Sequence, residues 1–349
     1  VSEMIPNQWY AVLESSEVPN GKPIGVTRMG EKLVFWRDTQ GKLSCLRDIC
    51  PHRGVALSLG KLQDDTLECP FHGFRYDASG SCCLIPANGR SAPVSKFMKV
   101  FCYPTYEAHG FIFIWWGKQQ EDLPPPRFFD DIDETMTYAT SADPWNAHYA
   151  RVIENQLDVA HVPFIHYNTI GRGGRTLVDG PLIEWQDVNR FKIYTFNRLD
   201  DGSRPRKPKE LSRPGTPFHL DFIFPNLWQN YISDNVRVLA AFTPVDNEHT
   251  ILYLRFYQNF MRVPLLKGWV SRLAMPFNVF VAHQDRVVVE TQLPKRPMLK
   301  MGEKLIQADN PIVAYRVRRA ELLQNDSNRA ANNTGISQDA VLQEQGPPI

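Results

Sequence analysis

"CPHRGVALSLGKLQDDTLECPFHGF", residues Cys50–Phe74, places two cysteines and two histidines within 25 residues. They fall into two short arms, Cys50-x-His52 and Cys69-x-x-His72. Thiolates and imidazoles at this density are the usual ligands of zinc and of iron–sulfur clusters. Each arm carries one ligand of each kind, whereas zinc fingers usually pair Cys with Cys and His with His on separate elements. A [2Fe–2S] centre with two Cys on one iron and two His on the other accounts for the mixed arms, and structural zinc is the alternative. Pro51, Gly54, Pro70 and Gly73 fit tight loops whose amides reach cluster sulfurs. Cys45, Cys82, Cys83 and Cys102 match neither arm and are expected as small core residues.

The rest of the chain sets the bounds around this stretch. It has 349 residues, 43% of them hydrophobic and 22% charged, which fits an ordinary globular protein of two domains. A net charge of +1 carries no footprint of nucleic acid or of an anionic membrane. The longest apolar run, "GFIFIWWG", is too short to span a bilayer. Six cysteines in a chain of this length make no disulfide scaffold, and no export signal opens it. A reducing cytoplasm is therefore the expected compartment.

The first ~120 residues read as β-rich. "LVFWRD" and "KLSCLRD" flank "TQG" as a hairpin, and Gly110–Gly117 is a buried strand. "KQQEDLPPPRFFDD" fits a linker, placing a boundary near residue 120. A helix is expected from about Trp145, capped by Asp143 with Pro144 at its first position, ending at or before Val162. "GRGGR" (Gly171–Arg175) follows no clear strand and opens no helix, which argues against a nucleotide loop. Strand-like runs between residues 182 and 261 suggest one antiparallel sheet, interrupted by a Pro-rich basic insertion, 203–217, expected to be mobile. "PFNVFVAHQDRVVVETQ" and "NPIVAYRVRRAELLQ" read as helices, and the polar tail from Asn325 as disordered. The expected fold class is thus α+β: an N-terminal all-β domain (1–120), an α+β domain with an antiparallel sheet flanked by helices (121–324), and a tail (325–349).

A cluster of this kind passes single electrons, and "ENQLDVAHVPFIH" offers a destination for them. Asn155, Asp158 and His161 recur at every third position, placing them on roughly one helical face. His166 lies beyond Pro163, so the chain can turn both imidazoles onto one point. Two His and a carboxylate form the facial triad of non-haem iron oxygenases. Asp285 is the expected third ligand, because it shares a helix face with Val281 and Val288, where an unpaired carboxylate is costly. Glu290 has Arg286 one turn before it as an exposed ion pair, His283 points elsewhere, and Asp221, Asp246 and Glu248 read as ordinary polar residues.

Taken together, "CPHRG", "CPFHGF", the pattern Asn155-x-x-Asp158-x-x-His161-x4-His166 and "HQDRVVVE" resemble the Rieske non-haem iron oxygenases, terminal components of ring-hydroxylating and demethylating systems. The resemblance runs from "NQWYAV" through the Asp285 helix and is to the branch with vanillate, dicamba and caffeine demethylases. It implies a Rieske [2Fe–2S] cluster on Cys50, His52, Cys69 and His72, and a mononuclear Fe(II) on His161, His166 and Asp285. It implies O2 as co-substrate, with electrons from NAD(P)H through a separate flavin reductase or ferredoxin, since the chain has no recognisable nicotinamide or flavin site. It implies a trimeric ring in which Asp158 connects His72 of one subunit to His161 of the next, with Asn155 beside the iron. The implied reaction is hydroxylation or oxidative O- or N-demethylation of an aromatic or heterocyclic compound. Cis-dihydroxylation, or a Rieske protein that only transfers or senses electrons, is the alternative.

Overall fold

The computed structural model describes residues 3–261, 263 and 266–333. Its N-terminal part consists of short strands: β1 (Gln8–Glu14), β2 (Ile24–Arg28), β3 (Glu31–Arg37), β4 (Leu43–Arg47), β5 (Lys61–Gln63), β6 (Thr66–Glu68), β7 (Arg75–Tyr76), β8 (Cys82–Leu84), β9 (Thr105–Ala108) and β10 (Phe111–Trp116). They form three small antiparallel sheets, ordered β1-β10-β9, β2-β3-β4 and β5-β6-β7-β8. The β3–β4 hairpin expected around "TQG" is present and pairs Phe35 with Cys45. The apolar run Phe111–Trp116 is the central strand of its sheet, buried along most of its length.

The second part is built on one seven-stranded antiparallel sheet. Its strands are β11 (Thr137–Trp145), β12 (Leu177–Asp187), β13 (Arg190–Arg198), β14 (His219–Ile223), β15 (Leu227–Ser233), β16 (Val236–Pro244) and β17 (Thr250–Gln258), in the order β11-β17-β16-β15-β14-β13-β12. Helices α1 (Tyr149–Leu157), α2 (Val162–Ile165), α3 (Lys267–Val289) and α4 (Asn310–Asn333) accompany it. Strand alternation gives the sheet two different faces. Leu227, Leu239, Ala241 and Tyr253 pack with Trp9, Phe111 and Phe129, while Trp228, Ala240 and Leu254 join the core that contains α1 and α4. The N-terminal part is clamped to the first face. Asn226 exchanges both amide hydrogen bonds with the Ala11 backbone, and the fully buried Arg255 donates to both oxygens of Glu14 at 2.9 and 2.6 Å.

Several expectations are corrected. Asp143 and Pro144 do not start a helix; they end edge strand β11, where a proline's missing N–H is tolerated. Helix α1 begins at Tyr149, and His148 caps it by accepting from the Ala150 amide. It stops at Leu157, with Asp158 extended at its C-terminus (ψ 122°), so Asn155, Asp158 and His161 do not share one helix. The Asp285 helix starts at Lys267 and carries Pro276 inside it. The 203–217 insertion is tied down: the wholly buried Asp179 accepts from the backbone and side chain of Arg206 at 2.8 and 2.7 Å. Asp221 is also wholly buried and is paired with Arg190. Cys45 and Cys82 are core residues, but Cys83 is exposed and Cys102 only partly buried. Helix α4, docked through Ile312 and Tyr315, continues past Asn325 to Asn333. The remaining tail residues, 334–349, lie outside the described residues. Among the described residues no helix is long and apolar enough to cross a membrane.

Candidate active site

The two Cys–His arms fold into near-copies of one loop. In the first, the Cys50 amide donates to Val55 O and the Gly54 amide to Cys50 O, both at 2.8 Å. In the second, the Cys69 amide donates to Phe74 O at 2.8 Å and the Gly73 amide to Cys69 O at 3.0 Å. Both turns close through a glycine at positive φ, 74° at Gly54 and 71° at Gly73, a conformation that penalises a Cβ. The loops bury both thiols and leave both imidazoles exposed at the tip, with ring centroids 4.6 Å apart. Burial pushes the Cys69 thiol up, countered in part by the Phe71 and His72 amides directed at its sulfur. The Tyr76 hydroxyl lies 3.2 Å from Cys50 Sγ, and Phe74 stacks on His52 at 4.6 Å. Buried thiols, exposed imidazoles and amides aimed at sulfur suit a [2Fe–2S] cluster with its cysteine-bound iron inside and its histidine-bound iron at the surface.

The second constellation forms where α1 ends. Asp158 Oδ1 accepts from the Ala160 and His161 amides at 2.7 and 3.3 Å, which turns the chain into the single-turn helix α2. His161 and His166 bracket that helix, with ring centroids 5.2 Å apart. From α3, Asp285 brings Oδ1 to 3.4 Å from His161 Nε2 and 3.0 Å from His166 Nε2. One ligand atom from each of the three lies within 4.8 Å of the others. Asp285 is 3% exposed and its Oδ1 has no hydrogen-bond partner among the described residues, as expected of lone pairs aimed at a cation. Burial opposes charge on Asp285, but the facing imidazoles outweigh it and hold the carboxyl down at about 2. Burial likewise opposes charge on His161, yet the carboxylates of Asp158 and Asp285 push it up to about 9. In the metal-free chain the raised His161 is thus ion-paired with two lowered carboxylates, Asp285 and Asp158, and the His₂–carboxylate set suits a divalent cation such as iron(II).

Two residues that the sequence reading missed hold this arrangement. Gln284 Oε1 accepts from His166 Nδ1 and from Thr169 Oγ1, each at 3.0 Å, which directs Nε2 toward Asp285. Gln156 Nε2 donates to Asp285 Oδ2 at 3.3 Å. Gln284 adjoins Asp285 in sequence, but nothing in its pattern shows that it reaches back to α2. Asn155 was the sequence-level candidate on α1, yet Gln156 lines the cavity and Asn155 does not; the Asn155 Nδ2 is buried and unpaired among the described residues. Asp158 faces His161 Nδ1 at 3.8 Å, beyond a direct hydrogen bond. His283 is turned away and pairs with Asp143 at 3.1 Å. Glu290 approaches Arg286 at 3.8 Å and also accepts from the Asn146 amide at 2.8 Å. Beneath α1, the buried Glu154 is held by Arg151 and Arg316.

A cavity of about 780 Å³ opens beside the three ligands. Its floor is the inner face of the sheet, including Trp228, Val238, Ala240, Leu254 and Phe256, and α3 contributes Phe277 and Val281 to its wall. It is large enough for a ring-sized organic molecule and mostly apolar.

Comparison with known proteins follows these two centres. Residues 8–104 match the Rieske [2Fe-2S] domain, and residues 145–325 match the vanillate O-demethylase oxygenase C-terminal domain. Chlorophyllide a oxygenase of Chlamydomonas reinhardtii is 34% identical over 173 residues, covering 50% of this chain and 26% of the relative. Protein TIC 55 of Arabidopsis thaliana is 31% identical over 332 residues, covering 88% of this chain and 58% of the relative. The chain thus spans roughly a quarter to three fifths of the length of these curated relatives. The solved structure of NdmA from Pseudomonas putida CBB5, also determined with caffeine, superposes with a TM-score of 0.76 at 24% identity over 92% of each chain. That likeness concerns the fold.

Proposed function

We propose that this chain, which belongs to the Rieske-type non-haem iron oxygenases, is the terminal oxygenase of a multicomponent system acting on an aromatic or heterocyclic compound. The observation that carries this reading is the convergence of His161, His166 and Asp285 at the edge of an apolar cavity. In this assignment Cys50, His52, Cys69 and His72 would hold the cluster, the thiolates on one iron and the imidazoles on the other, and His161, His166 and Asp285 would hold the mononuclear iron. The bound metals supply single-electron delivery and reductive activation of O2. The chain supplies the geometry. Gln284 fixes the His166 tautomer, Gln156 holds Asp285, and the sheet floor keeps the substrate in a dry pocket. The apolar lining favours a neutral ring compound, as caffeine is for NdmA, and hydroxylation or oxidative demethylation as the outcome.

Electrons come from NAD(P)H through a separate reductase or ferredoxin. With a cluster and an iron bound, the exposed His72 would be the exit side of the cluster, and Asp158, pinned by the turn before α2, would bridge His72 of a neighbouring subunit to His161 in a ring-shaped trimer, shortening the electron path without itself being reduced. Asn155 has a supporting place on the same helix end. A domain boundary near residue 120 falls between β10 and β11. The test is oxygen consumption by the metal-loaded protein with NADH, a reductase and a panel of methoxy- and N-methyl-substituted ring compounds. Product formation that Asp285→Ala abolishes, with the cluster spectrum retained, is the expected result. Turnover that survives Asp285→Ala refutes the site.

A further inference from the structure

Helix α3 has more faces than the iron site uses. Asp285, Val281 and Asn278 face the cavity, and Ser271 and Met275 are buried on the side that packs against β11 and β17. A third stripe is largely open to solvent. Leu266, at the helix N-terminus, is followed by Trp269, Leu273, Phe277, Phe280 and Val287, all at least half exposed. At 100° per residue these positions fall within one narrow arc, with Leu266, Leu273, Phe280 and Val287 spaced at seven-residue intervals. Six large apolar side chains in line on one helix exceed the scattered exposure normal for a soluble surface.

The charge pattern indicates what covers them. From His249 to Gln284 the sequence contains no Asp or Glu, but it contains Arg255, Arg262, Lys267 and Arg272. Arg255 is spent on Glu14 inside the protein, while Arg272 is exposed. The balanced overall charge of +1 conceals this local excess. Apart from Asp285, which is buried toward the cavity, helix α3 carries no acidic residue, and an apolar stripe with an exposed tryptophan and neighbouring basic residues is the pattern of a helix that lies in a membrane interface without crossing it. A second copy of the chain would bury the apolar stripe equally well, but nothing acidic in the stretch answers its own cations. The stripe is also continuous with the cavity, because Phe277 is both exposed and part of the cavity wall.

We propose that the outer face of α3 docks on a lipid bilayer bearing anionic headgroups, so that the cavity opens toward the lipid and takes a lipophilic substrate from it. This extends the oxygenase reading, and its test reads lipid binding without using turnover, so the two can fail separately. The full chain, loaded with iron, is floated on a density gradient with vesicles of phosphatidylcholine and phosphatidylglycerol in equal parts, and with phosphatidylcholine alone. The protein is expected to float with the anionic vesicles, and less so at high salt. The double variant Leu273→Glu, Phe280→Glu is expected to lower the vesicle-bound fraction roughly tenfold, with Leu273→Ala intermediate. Iron content and light-scattering mass, measured on the same samples, are expected to be unchanged. Wild-type protein that does not float, or variants that float equally well, overturns the proposal. A change of subunit number in the charged variant overturns it in favour of a second copy on the stripe.

Discussion

Replacing Gln284 by Leu tests how the iron site is held without touching a ligand. Gln284 Oε1 is the acceptor for both His166 Nδ1 and Thr169 Oγ1 at 3.0 Å, and its amide donates to Asn168 Oδ1 at 2.9 Å. Leucine fills similar space and removes the acceptor. His166 is then free to protonate at Nε2 instead of Nδ1, which places a proton where the metal must bind. Loss of such a partner typically lowers metal affinity by ~10–100-fold, or about 1.4–2.7 kcal/mol. The assay is anaerobic titration of Fe(II) into protein stripped of mononuclear iron, with the cluster spectrum as an internal control. Gln284→Leu should bind Fe(II) within that range of weakening, and Gln284→Glu, which keeps an acceptor, should recover most of it. Wild-type affinity in the Leu variant would show that Gln284 does not hold the ligand, and the reasoning would be wrong.

Asp158→Asn should leave both metals bound while nearly abolishing reductase-coupled turnover; near-normal turnover contradicts a role for Asp158 in electron passage. Glu14→Gln leaves the fully buried Arg255 without its counter-charge and should destabilise the chain by about 3–5 kcal/mol in a denaturant melt, whereas an unchanged midpoint would mean that the clamp between the two parts contributes little. In protein stripped of iron, the raised pKa of His161 adds stability below the ordinary histidine value of 6.5 that is lost as pH rises through about 9. Its melting temperature should therefore fall across that window, and loading Fe(II) should flatten the dependence; a pH-independent melt of the stripped protein would contradict the electrostatics of the site.

How far the sequence revealed the site depends on how local each signal is. The Cys–His arms are legible because ligand, proline and glycine lie within a few residues, and the loop hydrogen bonds repeat that spacing. His161 and His166 are legible for the same reason. Asp285 was reached by burial logic, since a carboxylate on an apolar face needs a partner. Local propensity misled at Asp143-Pro144, where a helix-start pattern was overridden by pairing of β11 with β17. It misled again over the 203–217 segment and Asp221, whose partners, the buried Asp179 and the partly buried Arg190, lie far away in sequence. Gln156, Gln284 and Tyr76 went unseen because each acts through a contact that only the folded chain creates.

The central claim is that one chain carries both an electron-relay cluster and a separate iron that uses its electrons. Metal and acid-labile sulfide analysis of the purified protein, together with the EPR spectrum after reduction, tests it most directly. The account predicts roughly three irons and two sulfides per chain, with a reduced-state signal of mixed Cys–His ligation. Substitution of Asp285 should then remove one iron and no sulfide. Two irons and two sulfides in the unmodified protein, or zinc in place of iron, would contradict it.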